Sequence, residues 1–330
     1  MAHESPLRAV TKTRQLGPRY LTHRTPRLQS STFGPGLRLP RTTDFLQRPQ
    51  PSRDGFTLIE LLVVVGILGI LSSLLLPALS RAKSSSRSAI CLNNSRQLAV
   101  AIQLYAEEHE EAFPPNPDDN PVAPLQHWCS GKAGRGQPNE FDHDILRDPE
   151  HSLLAIYVSR ETKIYRCPED RRTGRSQGSS EPSTQPKPKV PAARTISMNQ
   201  AIGTNPKGNR TTSVDAPWLD GKYGNKADSG PFRVFPLFSS LVTPGPAMTW
   251  TLMDEDPSIL NDASFAFSMV GMFYLDRPGS YHHGAGRLTF ADGHSELRRW
   301  MVRPGTAAGG RNAAIEKDWT WLRDRTSAPW

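Results

Sequence analysis

The residues best equipped for chemistry fall in two stretches of the C-terminal half. Asp254, Glu255, Asp256 and Asp262 crowd into DEDPSILND, and His282, His283, Asp292 and His294 follow. Loop carboxylates suit a hard cation such as Ca2+, which takes about six to eight oxygen ligands. Asp254, Asp256, Asp262 and Asp292 are the candidate set. Their spacing is not that of an EF-hand: with Asp254 as the first position, Ile259 stands where that loop needs glycine and Phe265 where it needs glutamate. A solvated acidic loop, its aspartates capping turns, accounts for the same residues without a metal. Two adjacent histidines on a strand point to opposite faces, so His282 and His283 do not share one ion simply. A histidine that supports a turn by hydrogen bonding is the plainer reading. The chain holds no Gly-x-Ser-x-Gly elbow, no Walker loop and no His-Glu-x-x-His pair. An enzyme is not the expectation.

Three cysteines, Cys91, Cys129 and Cys167, match no zinc spacing. The number is odd, so at least one thiol stays free or pairs between chains. A disulfide among them is allowed outside the cytoplasm. One further carboxylate, Glu60, sits where it should be costly. Phe56 to Leu79 is a run of 24 residues in which Glu60 is the one charge. At about 1.5 Å per residue such a helix crosses a hydrocarbon core of ~30 Å. A carboxylate at membrane depth costs a few kcal/mol unless it finds a partner or lies near the interface. At a helix start the macrodipole and the unbonded N–H groups favour it.

Charge is distributed to match. Residues 1–55 carry ten Lys/Arg against three acids, while 56–330 carry thirty basic against twenty-nine acidic residues. The net charge of +8 is therefore a property of the leader, and a nucleic-acid partner is not expected. The basic flank predicts a cytoplasmic N-terminus, a single pass and an extracytoplasmic C-terminal domain. Residues 1–52 show no hydrophobic periodicity and read as disordered.

The stretch GFTLIELLVVVGILGILSSLLLPAL, behind a basic leader, closely resembles the prepilin-type cleavage and methylation motif of type IV pilins and type II secretion pseudopilins. The resemblance implies cleavage between Gly55 and Phe56 by a prepilin peptidase and N-methylation of Phe56. It also implies that Glu60 pairs with the terminal amine of a neighbouring subunit, which removes the penalty of a carboxylate in lipid. Pro77 falls where many pilins kink. The implied partners are the peptidase, other pseudopilin subunits, an inner-membrane assembly platform with its ATPase, and membrane lipid. Leaders in this family are usually shorter than the one here.

Beyond the span, residues 80–112 continue the helix, with Ile90, Leu98, Ile102 and Tyr105 on one face. Phe113-Pro114-Pro115 ends it. Residues 113–300 form the extracytoplasmic domain, with a low-complexity loop at 171–193. Strands are expected after the turn at 151–165, in ISMNQAI, at 234–242, at 248–253 and at 265–275. Asp292-Gly293, between two β-favouring runs, predicts a two-residue type I′ hairpin. Residues 301–330 form a tail with a short helix. His282, nine residues and Asp292-Gly293 resemble the "processing-associated His-X(9)-Asp-Gly" domain of many pseudopilin-like proteins of Planctomycetes and Verrucomicrobia. The pieces CLNNSRQLAVAIQLYAEEHEEAFPP, YRCPED and SMNQAIG resemble the same group. Some major pseudopilins bind Ca2+ in C-terminal loops, so the resemblance also favours that ion. The expected fold is α+β and pilin-like: a long N-terminal helix, transmembrane in its first half, packed on a small antiparallel sheet with loop-rich insertions. Two rivals are a membrane-anchored module binding extracellular polymers, and an exported metal-dependent enzyme centred on Asp254, Asp256, His282 and Asp292.

Overall fold

A computed structural model describes residues 55–118, 124–178, 187–204, 216–222, 230–302 and 313–330. The leader up to 54, the centre of the 171–193 loop and the start of the 301–330 tail lie outside the described residues. Contacts divide the chain into Met1–Leu58 and Ile59–Trp330. The arrangement is α+β and pilin-like.

Helix α1 spans Leu58–Glu108, 51 residues. It runs on past the apolar segment because residues 78–108 contain neither glycine nor proline. Pro77 lies inside the helix, where it removes one main-chain donor. The end is set by two consecutive left-handed residues, Glu110 at φ 56° and Glu111 at φ 64°. Glu111 N–H donates back to the Ala106 carbonyl at 2.9 Å, a helix-closing turn. The helix thus stops at Glu108, ahead of the proline pair. Its buried stripe is Cys91, Asn94, Ser95, Leu98, Ala101, Ile102 and Tyr105. Ile90, expected on that stripe, is 50% exposed, and the smaller Cys91 takes the inward place at 0%.

The sheet has the order β5-β3-β4-β6-β7. Its strands are β3 (Ile196–Asn199), β4 (Trp250–Asp254), β5 (Ser264–Phe265), β6 (Ala285–Phe290) and β7 (Ser295–Arg299). A separate ribbon pairs β1 (Thr173–Arg175) with β2 (Lys189–Pro191). Three pairs of the main sheet are antiparallel, but β5 joins β3 in parallel, through Met198↔Ser264 and Asn199↔Phe265, so the sheet is mixed. Every residue of β3 and β4 is buried. The expected strand after 151 is instead two single 3-10 turns, Leu153–Ala155 and Lys163–Tyr165. The run 234–242 holds the 3-10 turn Phe238–Ser240 and isolated bridges, and the run from Phe265 is a strand only at its first residue. Here alternation of apolar residues reflects packing of irregular chain into the core, not a ladder.

Helix α2, Ala313–Thr326, buries Trp319, Leu322 and Thr326. It is tied to the sheet by Trp250 Nε1 donating to Thr326 Oγ1 and by Asn199 Nδ2 donating to the Thr326 carbonyl, each at 3.0 Å.

The β6–β7 hairpin forms around Asp292-Gly293 with a different turn from the one expected. Phe290 N–H donates to His294 O at 2.9 Å and Gly293 N–H to Phe290 O at 3.0 Å, which encloses a three-residue loop. Only Gly293, at φ +91°, is left-handed there. Asp292 instead accepts the His294 N–H at 3.1 Å. A Cβ added at Gly293 would meet nothing closer than Gln103 Nε2 at 3.4 Å, an ordinary contact. The cost of Gly293→Ala is thus conformational alone, about 1–2 kcal/mol. Urea unfolding of the detergent-solubilised chain should show that loss, and Gly293→Asn, which tolerates positive φ, should lose less.

Candidate functional site

Two regions carry the residues that the sequence singles out. In the first, Gly55 and Phe56 precede α1 and Glu60 stands in its first turn, where the helix dipole favours a carboxylate. All three are exposed. The sixteen large apolar side chains from Phe56 to Leu79 are each at least 46% exposed. The most apolar 18-residue window of α1 has mean hydropathy 2.6 and none of it is buried. A soluble core helix would hide such a surface; this one needs lipid or other helices around it.

The second region is the junction of α1 with the sheet. Four segments distant in sequence meet there: Ser88 and Cys91 of α1, Cys167 after the second 3-10 turn, Asp254 at the end of β4, and His282 in the turn before β6. Cys91 Sγ and Cys167 Sγ lie 3.7 Å apart, and Cys167 Sγ is 3.1 Å from His282 Nε2. The other ring nitrogen, Nδ1, is 3.1 Å from Ser88 Oγ. Asp254 Oδ1 accepts from Arg287 Nε at 3.0 Å and Thr195 Oγ1 at 2.9 Å, and Oδ2 accepts from the Arg287 main chain at 3.2 Å. Thr195 Oγ1 also accepts from the Cys167 N–H at 2.9 Å. Cys91, Cys167, Asp254 and Arg287 are at most 2% exposed, and His282 is 6% exposed.

The electrostatics follow from that burial. The two thiols are not equivalent. The hydrogen bond with Cys167 lowers the Cys91 thiol below its ordinary range, and the charges of Arg287 and His282 assist against desolvation. Desolvation and the same hydrogen bond raise Cys167. Desolvation pushes Asp254 up to about 6, although Arg287 opposes it. Burial works against a charged His282, but its contacts with Cys91 and the charge of Asp254 outweigh that and raise it.

The cation candidates Asp254, Asp256, Asp262 and Asp292 do not converge, while the buried Glu255 lies within electrostatic reach of Asp262. Asp254 faces this junction. Asp256 pairs with Arg277 at 3.4 Å and caps Ser258 N–H at 2.9 Å. Asp262 accepts the Ser264 N–H at 2.7 Å, and Asp292 belongs to the hairpin turn with His294. The group whose ligand atoms do come together, among the described residues, is Cys91, Cys167, Asp254 and His282. Cys129 lies outside it, and burial pushes its thiol up to about 12. All three cysteines are thiols in this structure. His282 and His283 also depart from the strand expectation. They occupy a turn in which His283 is left-handed at φ 53°, so both reach α1: His283 Nε2 is 3.0 Å from Ser84 Oγ. Sequence reasoning missed Ser88, Thr195 and Arg287. Only Arg287 left a signal, a cation within an otherwise β-favouring run.

Residues 51–76 match the family model described as the prokaryotic N-terminal methylation motif. Over 99 residues, 30% of this chain, the sequence is 33% identical to the type II secretion system core protein G of Pseudomonas aeruginosa. The aligned stretch is 64% of that protein, so the chain spans a little under two thirds of the relative it matches. No solved structure matches the chain significantly.

Removal of Arg287 would leave Asp254 buried without its cation. Arg287→Met is expected to cost about 3–5 kcal/mol in chemical unfolding of the full chain, and Arg287→Lys, which keeps the charge, less.

Proposed function

We propose that the chain is the precursor of a pseudopilin-like or minor-pilin-like subunit of a type II secretion or type IV pilus-like filament. The observation that carries this reading is the unburied apolar half of α1, opened by a single carboxylate and overlapping the matched methylation motif. The similarity to a type II secretion core protein supports it over part of the chain. In this reading the precursor inserts once into the inner membrane, with the basic leader in the cytoplasm. A prepilin peptidase cuts between Gly55 and Phe56 and Phe56 is N-methylated. The sheet domain stands outside the cytoplasm. An assembly platform and its ATPase then draw the subunit from lipid into a helical filament.

Glu60 gives the assembly its register. A carboxylate in an apolar layer is strongly unfavourable unless a cation neutralises it, and the new terminal amine of a neighbouring subunit is that cation. Stacked helices are thereby held at one axial offset. The chain's own role is structural, and the His282-to-Gly293 segment serves the sheet domain, not processing. We propose likewise that His282, Asp292 and Gly293 are the motif of the His-X(9)-Asp-Gly group.

Mass spectrometry of the protein from the membrane fraction of its native host tests the reading. A mature chain beginning at N-methylated Phe56 is expected. An uncut chain that retains residues 1–55 would leave an anchored exported domain and remove the pilin assignment. Glu60→Ala is expected to be cut normally yet to enter sheared filaments at least tenfold less than wild type, by immunoblot of the filament fraction.

A further inference from the structure

We propose that Cys91, Cys167, His282 and Asp254 bind one Zn2+ ion that fastens helix α1 to the sheet. The four ligand atoms lie within 4.8 Å of one another. The sulfur separation is informative. A tetrahedral Zn2+ with Zn–S of about 2.3 Å sets two sulfurs roughly 3.8 Å apart. Cys91 and Cys167 are 3.7 Å apart, whereas a disulfide would hold them at about 2.0 Å.

The surroundings of the four groups are those of a metal site. His282 turns Nε2 to the sulfurs and Nδ1 to Ser88 Oγ at 3.1 Å. A hydroxyl accepting from Nδ1–H selects the tautomer whose Nε2 lone pair is available to a metal. Asp254 Oδ1 is occupied by Arg287 and Thr195, while Oδ2 accepts one main-chain N–H and retains acceptor capacity. Charge also balances: two thiolates and a carboxylate are cancelled by the Arg287 guanidinium and a divalent cation. Two sulfurs and an imidazole favour Zn2+ over Ca2+ or Mg2+. Four protein ligands, all buried, describe a closed structural site and not a catalytic one with an open position.

The test uses the full chain, solubilised in detergent and purified with reductant and without chelator. After equilibration with Zn2+ and desalting, elemental mass spectrometry should count one zinc per chain. Co2+ in its place should give the intense visible absorption of a tetrahedral thiolate complex. Cys91→Ser and His282→Ala should each reduce zinc retention at least tenfold. Ser88→Ala, a mild change at a half-buried hydroxyl, should weaken binding about tenfold with the fold intact by circular dichroism. A folded wild-type chain that retains no zinc and gives no Co2+–thiolate absorption would overturn the proposal. So would a Cys91–Cys167 disulfide in protein isolated from its host. None of these readouts depends on cleavage at Gly55, so the zinc site and the filament reading stand or fall separately.

Discussion

Arg287 is a guanidinium sealed in the interior of a sheet, and much of the surrounding structure is a response to it. It sits on β6 at 2% exposure, beside the Leu288 that pairs with Met253 of β4, and donates to Asp254 at 3.0 Å. Burial of an isolated cation is prohibitive, so strand pairing and charge pairing are one requirement here. Slippage of β6 by one residue would turn the guanidinium to the other face and strand both charges. The same carboxylate then organises Thr195, and through it the main chain at Cys167. The pair thus fixes both strands and the loop that meets α1.

A similar logic runs through the rest of the domain, which holds irregular chain in its core. Irregular backbone has no ladder to satisfy its carbonyls, so side chains must do it. Arg194, fully buried, donates to the carbonyls of Gly131 and Asp262 at 2.9 Å and 2.6 Å. Asn116 donates to Asn199 and Ile202 carbonyls at 3.0 Å and 3.2 Å and accepts from Trp128 Nε1 at 3.1 Å. Arg172 joins Asp170 and Glu140 and also reaches the Ala133 and Arg194 carbonyls. These long side chains do for the loops what strands do for one another. The loop-rich composition is therefore compatible with a single packed interior.

This explains which features could be read from the residues alone. The long helix was legible because its signals are local: an unbroken apolar run, then a stretch free of glycine and proline. The hairpin was legible from Asp-Gly, though its loop length was not, since the choice between two and three residues depends on how β6 and β7 align. The parallel β5 edge, the 3-10 turns and the place of Arg194 depend on contacts far apart in sequence. The junction was the least legible. Cys91, Cys167 and His282 are separated by 76 and 115 residues, and no spacing rule links them. Ile90 misled in the same way, since periodicity marks an apolar face but not which neighbour a crowded interface admits.

The continuity of α1 has a geometric consequence. Thirty-one residues of one helix separate Glu60 from Cys91, an axial distance of about 46 Å at 1.5 Å per residue. The helix is a ruler graduated from the carboxylate to the point where the sheet is attached. With no linker between the two marks, an axial displacement at one is passed to the other. The helix couples its two ends as a continuous rod does and a flexible tether does not.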